Sequence, residues 1–363
     1  MSQTKVEAPF VQNNIPFRNI VINGAMQIAQ RSTSVTGIGA SAGYFTLDRF
    51  DMYFQNTAGR LTMSQTAVTD LPGFTQCLKL DCTTADTSIA AAENAVLQYQ
   101  VEGQHLQHLK KGTSSAEKTT LSFYVKGDQA ATYTCELADK DNTRQNTQTF
   151  SVTTSWNRVV LVFDGDTTGA YDNDNAKSLA IQIHLQAGSN STSGTFTSNT
   201  WAANTDANTV KSDQTQFFDS TDRELFITGF QYEVGDQATD FEHLPFDIQL
   251  HRCRRYCQSW DFSGQTGPFA PGRTLSSNRV DAFFNCHPPM RDAVDAISDS
   301  LTVSSYYYDG GQYQSLTQTA TSLVHNTNGG TGFAVRKTFS DTLTASKMAL
   351  AQFGGTLIAT CEL

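Results

Sequence analysis

The stretch LSFYVKGDQAATYTCEL, residues 121–137, decides the fold. Leu121, Phe123 and Val125 alternate with Ser122, Tyr124 and Lys126; beyond Gly127-Asp128, Tyr133, Cys135 and Leu137 alternate with Thr132, Thr134 and Glu136. A period of two puts the apolar side chains on one face of an extended chain, the signature of a half-buried strand. Two such runs around a Gly-Asp turn predict a β-hairpin. The pattern recurs on both sides. Phe50, Met52 and Phe54 alternate with Arg49, Asp51 and Tyr53, and Leu179, Ile181, Ile183 and Leu185 with Ala180, Gln182, His184 and Gln186. Phe226, Phe230, Tyr232 and Val234 give a further strand before Gly235-Asp236. Val159 to Phe163 is apolar throughout, which predicts a strand covered on both faces. Two packed antiparallel sheets accommodate both kinds, so 36–246 is expected to be a β-sandwich of jelly-roll type.

The flanks read differently. Residues 1–35 carry Pro9, Asn13, Asn14 and Pro16, with one short apolar piece, Ile20 to Ile22, before Asn23-Gly24. So polar a segment cannot bury enough surface to order itself, and is expected to be an arm docked on another subunit or on the next domain. From Asp247 the period changes. Phe246, Leu250, Cys253 and Cys257 fall on one helical face, with Arg252, Arg254 and Arg255 elsewhere, predicting a short helix that opens a domain over 247–363. Strand-like pieces around Val280 to Cys286, Leu301 to Tyr308, Phe333 to Phe339, Met348 to Phe353 and Thr356 to Cys361 are separated by glycine pairs. A smaller C-terminal β-sandwich is expected there. The whole chain reads as all-β.

Composition narrows the function. Of 363 residues, 25 are Lys or Arg and 35 Asp or Glu, a net charge of −10 that argues against a nucleic-acid partner, since phosphate affinity needs dense cationic surface. No apolar run reaches the roughly 18 residues of a membrane span, and MSQTKVEAPF lacks the basic-then-apolar layout of a secretion signal. The expectation is synthesis in a cytoplasm without membrane insertion. Seven irregularly spaced cysteines, an odd number, do not read as a disulfide framework.

Several stretches carry a resemblance. NIVINGAMQIAQRSTS (Asn19 to Ser34) with YFTLDRF (Tyr44 to Phe50) resembles the opening of tailed-bacteriophage virion proteins described as tail fibre or structural proteins. FITGFQYEVGDQATDFEHLPF (Phe226 to Phe246) followed by QLHRCRRYC resembles the end of their sandwich domain, and FNCHPPMR (Phe284 to Arg291) an element of their C-terminal domain. LSFYVKG and the Trp156-bearing strand pair are similar to carbohydrate-binding-module jelly rolls. The resemblance implies a jelly roll plus a C-terminal β domain, usually homotrimeric, projecting from a tail or capsid of the virion, partnered by other phage virion proteins and often contacting a host surface glycan. Asn23, Gly24, Met26, Gln27 and Arg31 are then the candidates for docking onto the particle. Here Cys253 and Cys257 stand where the family helix more often has one Cys and then a Tyr pair. The expected role is a tail fibre or appendage assembled in the bacterial cytoplasm; a capsid decoration or head-fibre protein and a glycan-cleaving spike are the alternatives.

For a glycan site the aromatic candidates are Trp201, Trp260 and the run Tyr306, Tyr307, Tyr308, because flat rings stack on the apolar face of a pyranose. Within a strand, Tyr306 and Tyr308 share one face and Tyr307 takes the other. Trp156 and Tyr313 join the candidates, with sandwich core the competing reading for Trp156 and a subunit contact for the tyrosines. Asp164, Asp166, Asp172 and Asp174 could offer oxygens to a calcium ion, but the twelfth position of the loop is Asn175 rather than a bidentate Glu. Cys253, Cys257, Cys286 and His287 could be drawn as a zinc set, yet the helix cysteines lie on the apolar stripe, where Cys acts as a small buried hydrophobe. No metal or cofactor is expected. Nucleophile-elbow, zincin, phosphate-loop and dinucleotide motifs are absent from the sequence, so no enzymatic activity is expected, although a carboxylate pair for glycan cleavage would be spatial rather than sequential.

Overall fold

The computed structural model describes residues 16–262, 269–299, 304–309, 312–326, 330–340, 348–352 and 355–363. It is all-β and divides into two compact units, the first ending at Gln249 and the second running from Leu250 to Glu362. No helix among the described residues is long and apolar enough to cross a membrane.

The first unit contains β1 (Ser34–Ile38), β2 (Phe50–Gln55), β3 (Arg60–Ala67), β4 (Gln76–Thr84), β5 (Asn94–Glu102), β6 (Thr119–Gly127), β7 (Ala131–Asp139), β8 (Arg144–Val152), β9 (Asn157–Phe163), β10 (Lys177–Ala187), β11 (Ala202–Ala203) and β12 (Glu224–Val234). These form two six-stranded sheets, ordered β1-β3-β4-β12-β6-β9 and β11-β8-β7-β10-β5-β2. The alternation works as expected: Leu121, Phe123 and Val125 of one sheet and Tyr133, Cys135 and Leu137 of the other are all buried in one core. Phe230 stacks on Phe123 at 5.2 Å and meets Phe50 edge-on at 5.6 Å.

Two expectations are corrected. β6 and β7 do not form a hairpin; β6 pairs with β12 and β9, and β7 with β8 and β10. Three residues, 128–130, carry the chain from one sheet to the other. Alternation gives each strand one apolar face, and two such faces bury equally well when opposed across a core. β9 is not covered on both sides either. It is the edge of the first sheet, with Val159 and Phe163 buried and Val160 45% exposed.

From residue 16 onward the N-terminal segment is part of this core, and residues 1–15 of the expected arm lie outside the described residues. Val21, Met26 and Ile28 are buried, as are Asn19 and Asn23. Asn19 accepts from the backbone N–H groups of Val21 (3.0 Å) and Tyr232 (3.1 Å) and donates to the Phe230 carbonyl (3.1 Å). Asn23 donates to the carbonyls of Ile28 (2.8 Å) and Asp48 (3.1 Å) and accepts from the Ile28 N–H (3.0 Å). Each asparagine supplies both a donor and an acceptor to a chain that has no strand ladder, which is how so polar a stretch can be buried.

A turn of helix, α1 (Ser189–Thr192), follows β10, and α2 (Phe246–Arg254) spans the division between the units. The helix ends before Cys257, which opens the next strand instead of continuing the predicted stripe, and Phe246 is 55% exposed.

The second unit contains β13 (Cys257–Asp261), β14 (Phe269–Ser276), β15 (Arg279–Asn285), β16 (Ala296–Asp299), β17 (Ser304–Asp309), β18 (Gln312–Asn326), β19 (Gly332–Phe339), β20 (Met348–Gln352) and β21 (Thr356–Thr360). Rather than a small sandwich, six of these close into a barrel, β14-β15-β19-β18-β17-β20, beside a three-stranded sheet, β13-β21-β16. Closure removes the exposed edges that a short two-layer sandwich would leave.

Candidate ligand-binding groove

The chemistry gathers on the outer face of the second sheet. Ile181 and Ile183 of β10 enter the core, so Gln182 and His184 point away from it. The same rule turns out Val96, Gln98 and Gln100 from β5, Glu136 and Ala138 from β7, and Asp51, Tyr53 and Gln55 from β2. These residues line a groove of about 670 Å³, bounded further by Asn94, Asn190 and Ser191 at one end and by Lys140, Thr143, Arg144 and Lys177 at the other.

Register sets the rows. Asp51 faces Gln98, Gln98 faces Gln182, and Gln182 faces Glu136, so one line of four polar residues crosses four strands. Gln182 donates to Gln98 Oε1 at 2.7 Å. His184 Nε2 lies 2.8 Å from Glu136 Oε2, and both residues are almost fully buried beneath the groove. Tyr53, 39% exposed, is the single Phe, Tyr or Trp among the described lining residues, and its hydroxyl donates to Gln55 at 3.3 Å. The floor is therefore built from amides and carboxylates, with one ring at its border.

Behind the lysine end lies a buried charge cluster. Lys111, buried, contacts Asp139 at 2.6 Å and Asp166 at 3.0 Å; Arg144 holds Asp166 through two bonds of 2.7 and 3.1 Å. Burial works to raise the Asp166 pKa, and the hydrogen bonds from Arg144 and Lys111 outweigh it, holding the carboxyl below its usual range. Three of the four aspartates weighed for calcium have their carboxylates engaged by the protein itself. The protein's own cations occupy Asp166, Asp164 pairs with Lys118 at 2.7 Å, Asp174 accepts from the Ala176 N–H at 3.0 Å, and the Asp172 N–H donates to Asp141 at 2.9 Å. Among the described residues no three His, Cys, Asp or Glu side chains assemble as metal ligands.

The aromatic candidates are dispersed. Trp201 rests against the edge of the sandwich core, donates its indole N–H to the Asp164 carbonyl at 2.7 Å and has Lys111 over its ring at 5.5 Å, away from the groove lining. Trp260 packs on Phe284 and Phe333 in the core of the second unit. Tyr306, Tyr307 and Tyr308 lie in β17, paired with β18; their side chains fall outside the described residues. Trp156 is not core. It lies half-buried on the outer face of the first sheet, donating to Asp70 at 2.8 Å, with Lys126 over its ring at 5.1 Å.

Of the docking candidates, Asn23, Gly24 and Met26 are buried in their own unit and present no docking surface. Gly24 lies so close to β12 that an added Cβ would stand 2.1 Å from the Phe230 carbonyl oxygen. Gln27 and Arg31 are partly exposed, with Arg31 lying over Tyr44 and 3.8 Å from Asp48.

No family model and no curated protein matches this sequence. Among solved structures the chain is similar to a CBM4 structure (10% identity, 59% of this chain and 98% of that one, TM-score 0.31). It is also similar to the family 11 carbohydrate-binding module from Clostridium thermocellum in complex with a β-1,3-1,4-mixed-linked tetrasaccharide (10% identity, 58% and 98%, TM-score 0.27). A third is TmCBM61 in complex with β-1,4-galactotriose (8% identity, 61% and 99%, TM-score 0.29).

Proposed function

We propose that the first unit binds a glycan in the groove of its second sheet without cleaving it, and that the chain is a bacteriophage virion protein, a tail fibre or appendage holding the host surface. The observation that carries the binding reading is the row Asp51, Gln98, Gln182 and Glu136 across the floor of an open groove. Amides and carboxylates in such a row give and take hydrogen bonds with a dense array of hydroxyls, and little else matches them. The virion assignment is supported by the resemblance of Asn19 to Phe50 and Phe226 to Arg291.

Binding without cleavage is supported by spacing. Asp51 and Glu136, the two carboxylates of the central row, are three strand spacings apart, roughly 14 Å, whereas glycosidase carboxylates sit about 5 to 9.5 Å apart; of the other two lining carboxylates, Asp139 is held by Lys111 at 2.6 Å and Asp206 lies at the rim. The test uses the full chain against isolated host cell walls and a glycan array. A Gln98→Ala, Gln182→Ala double variant is expected to lose binding about tenfold while melting as the parent does, because two hydrogen bonds to ligand are removed from an outward face. No reducing ends should be released from a bound glycan. A protein that adheres to neither surface would sink the reading.

A further inference from the structure

The two ends of the groove differ in charge. Asn94, Asn190 and Ser191 close one end without any. At the other the lysines stand apart from the rest of their unit. Lys79, Lys110, Lys111, Lys118, Lys126 and Lys211 each reach a carboxylate at 2.9 Å or closer. Lys140 and Lys177 are the remaining described lysines of the first unit; both are exposed, both line the groove, and neither makes an ion pair among the described residues. They are also neighbours. The Lys140 N–H donates to the Ser178 carbonyl at 2.8 Å, which puts the turn after β7 beside the start of β10. Arg144 opens β8 as the register partner of Asp139, one residue before Lys140. Its Nε and Nη2 hold Asp166, which fixes the guanidinium plane, while Nη1 makes no hydrogen bond among the described residues. Of the lining carboxylates near this end, Asp139 is taken by Lys111 at 2.6 Å. Asp206 lies at the rim, two residues past Asn204, whose N–H donates to the Thr143 carbonyl at 2.9 Å.

We propose that Lys140 and Lys177, with Arg144 beside them, hold an anionic substituent of the glycan, a uronate carboxylate, a sulfate or a phosphate, so that the groove selects an acidic glycan over its neutral counterpart. The proposal rests on the glycan-binding reading above. Ammonium and guanidinium groups only donate, and an anion that accepts from two or three of them gains charge-assisted bonds that a neutral hydroxyl does not. Exposed lysines carry that charge to the ligand without any group having to leave the interior. Spacing then sets the length of the ligand. Lys177 precedes Gln182 by five residues on β10, about 17 Å along the strand. A chain that follows the strands therefore lays several sugar units between the anion at the lysines and the hydroxyls over Gln98 and Gln182.

The full chain is applied to an array of neutral oligosaccharides, each printed beside counterparts bearing a uronate, a sulfate ester or a phosphate ester. The strongest binder of the array and its neutral or acidic counterpart then go to calorimetry. At least one acidic member is expected to bind about tenfold more tightly than its neutral counterpart at low salt, with the gap narrowing as salt rises. A Lys140→Gln, Lys177→Gln double variant is expected to weaken the acidic member by about tenfold and to leave the neutral one and the melting temperature unchanged. Both side chains are exposed, so the replacement removes no buried contact. A Lys110→Gln, Lys211→Gln variant makes the same change of net charge away from the groove lining and is expected to bind as the parent does. Neutral members bound as tightly as acidic ones, acidic binding untouched by the Lys140 and Lys177 changes, or an equal loss in the Lys110 and Lys211 variant would overturn the anion site and leave glycan binding standing. An array on which no member binds overturns both.

Discussion

Asp166 looks like a calcium ligand in the sequence and is a structural anion in the fold. Lys111 and Arg144, 55 and 22 residues away along the chain, reach it only once β7, β8 and the loop after β9 are assembled. Replacing one member of a buried pair leaves the others uncompensated, so Asp166→Asn is expected to lower stability by roughly 3 kcal/mol, read as a fall in melting temperature. The pH dependence has a definite sign. Because the folded pKa of Asp166 is depressed, its contribution is whole above the unfolded carboxylate value near 4 and is lost as pH falls through the lower folded value. The gap between parent and variant should therefore shrink below about pH 4, and a gap that persisted there would contradict the pairing. The cysteines obey burial in the same way. Burial pushes Cys77 up to about 12 and Cys82 and Cys286 to about 11, and all seven are buried. A thiol reagent at about pH 8 is expected to label none in the native protein and all in denaturant, since only the thiolate reacts. Fast native labelling would mean that a thiol is reached.

At the scale of elements, β12 shows where local rules bend. Its register with β6 shifts between Thr228 and Gln231, and Gly229 within the shift has φ +63°. A Cβ there would stand 2.8 Å from the Phe74 ring and 2.9 Å from Tyr124. Gly229→Ala combines left-handed strain with a clash and is expected to cost roughly 2–3 kcal/mol, measured by denaturant unfolding. The sequence made the strands legible because the period of two survives whichever neighbour a strand takes. It made pairing illegible for the same reason: β6 and β7 carry the hairpin pattern and belong to opposite sheets. The groove was half legible. Gln182, His184 and Glu136 stood out as the polar partners of apolar residues, but alternation cannot tell an outward face that meets bulk water from one that is concave. The surroundings of the aromatic candidates were not legible, because the packing of Trp201 and Trp260 depends on Lys111, Phe284 and Phe333, which the linear sequence does not bring near.

At the scale of the molecule, each unit has its own apolar cluster, one around Phe50, Phe123 and Phe230 and another around Phe284, Phe333 and Leu357. Calorimetry is expected to resolve two unfolding transitions. A bound glycan should raise only the one belonging to the sandwich, by about 2.7 kcal/mol at a hundredfold excess over Kd. A ligand that moved the other transition would place binding in the barrel unit.

The buried N-terminal segment also sets a schedule for biosynthesis. Asn19 bonds Glu242 through its backbone N–H, Gly24 receives the Phe230 N–H, and Asn23 meets Gln249, each more than 200 residues later. At 5–20 residues per second of translation, the segment waits roughly 10–45 s on the ribosome for its partners. During that interval Val21, Ile22 and Met26 are displayed by a nascent chain whose sandwich lacks its last strand. This is where a chaperone, or a neighbouring nascent copy of the same chain, meets an open seam.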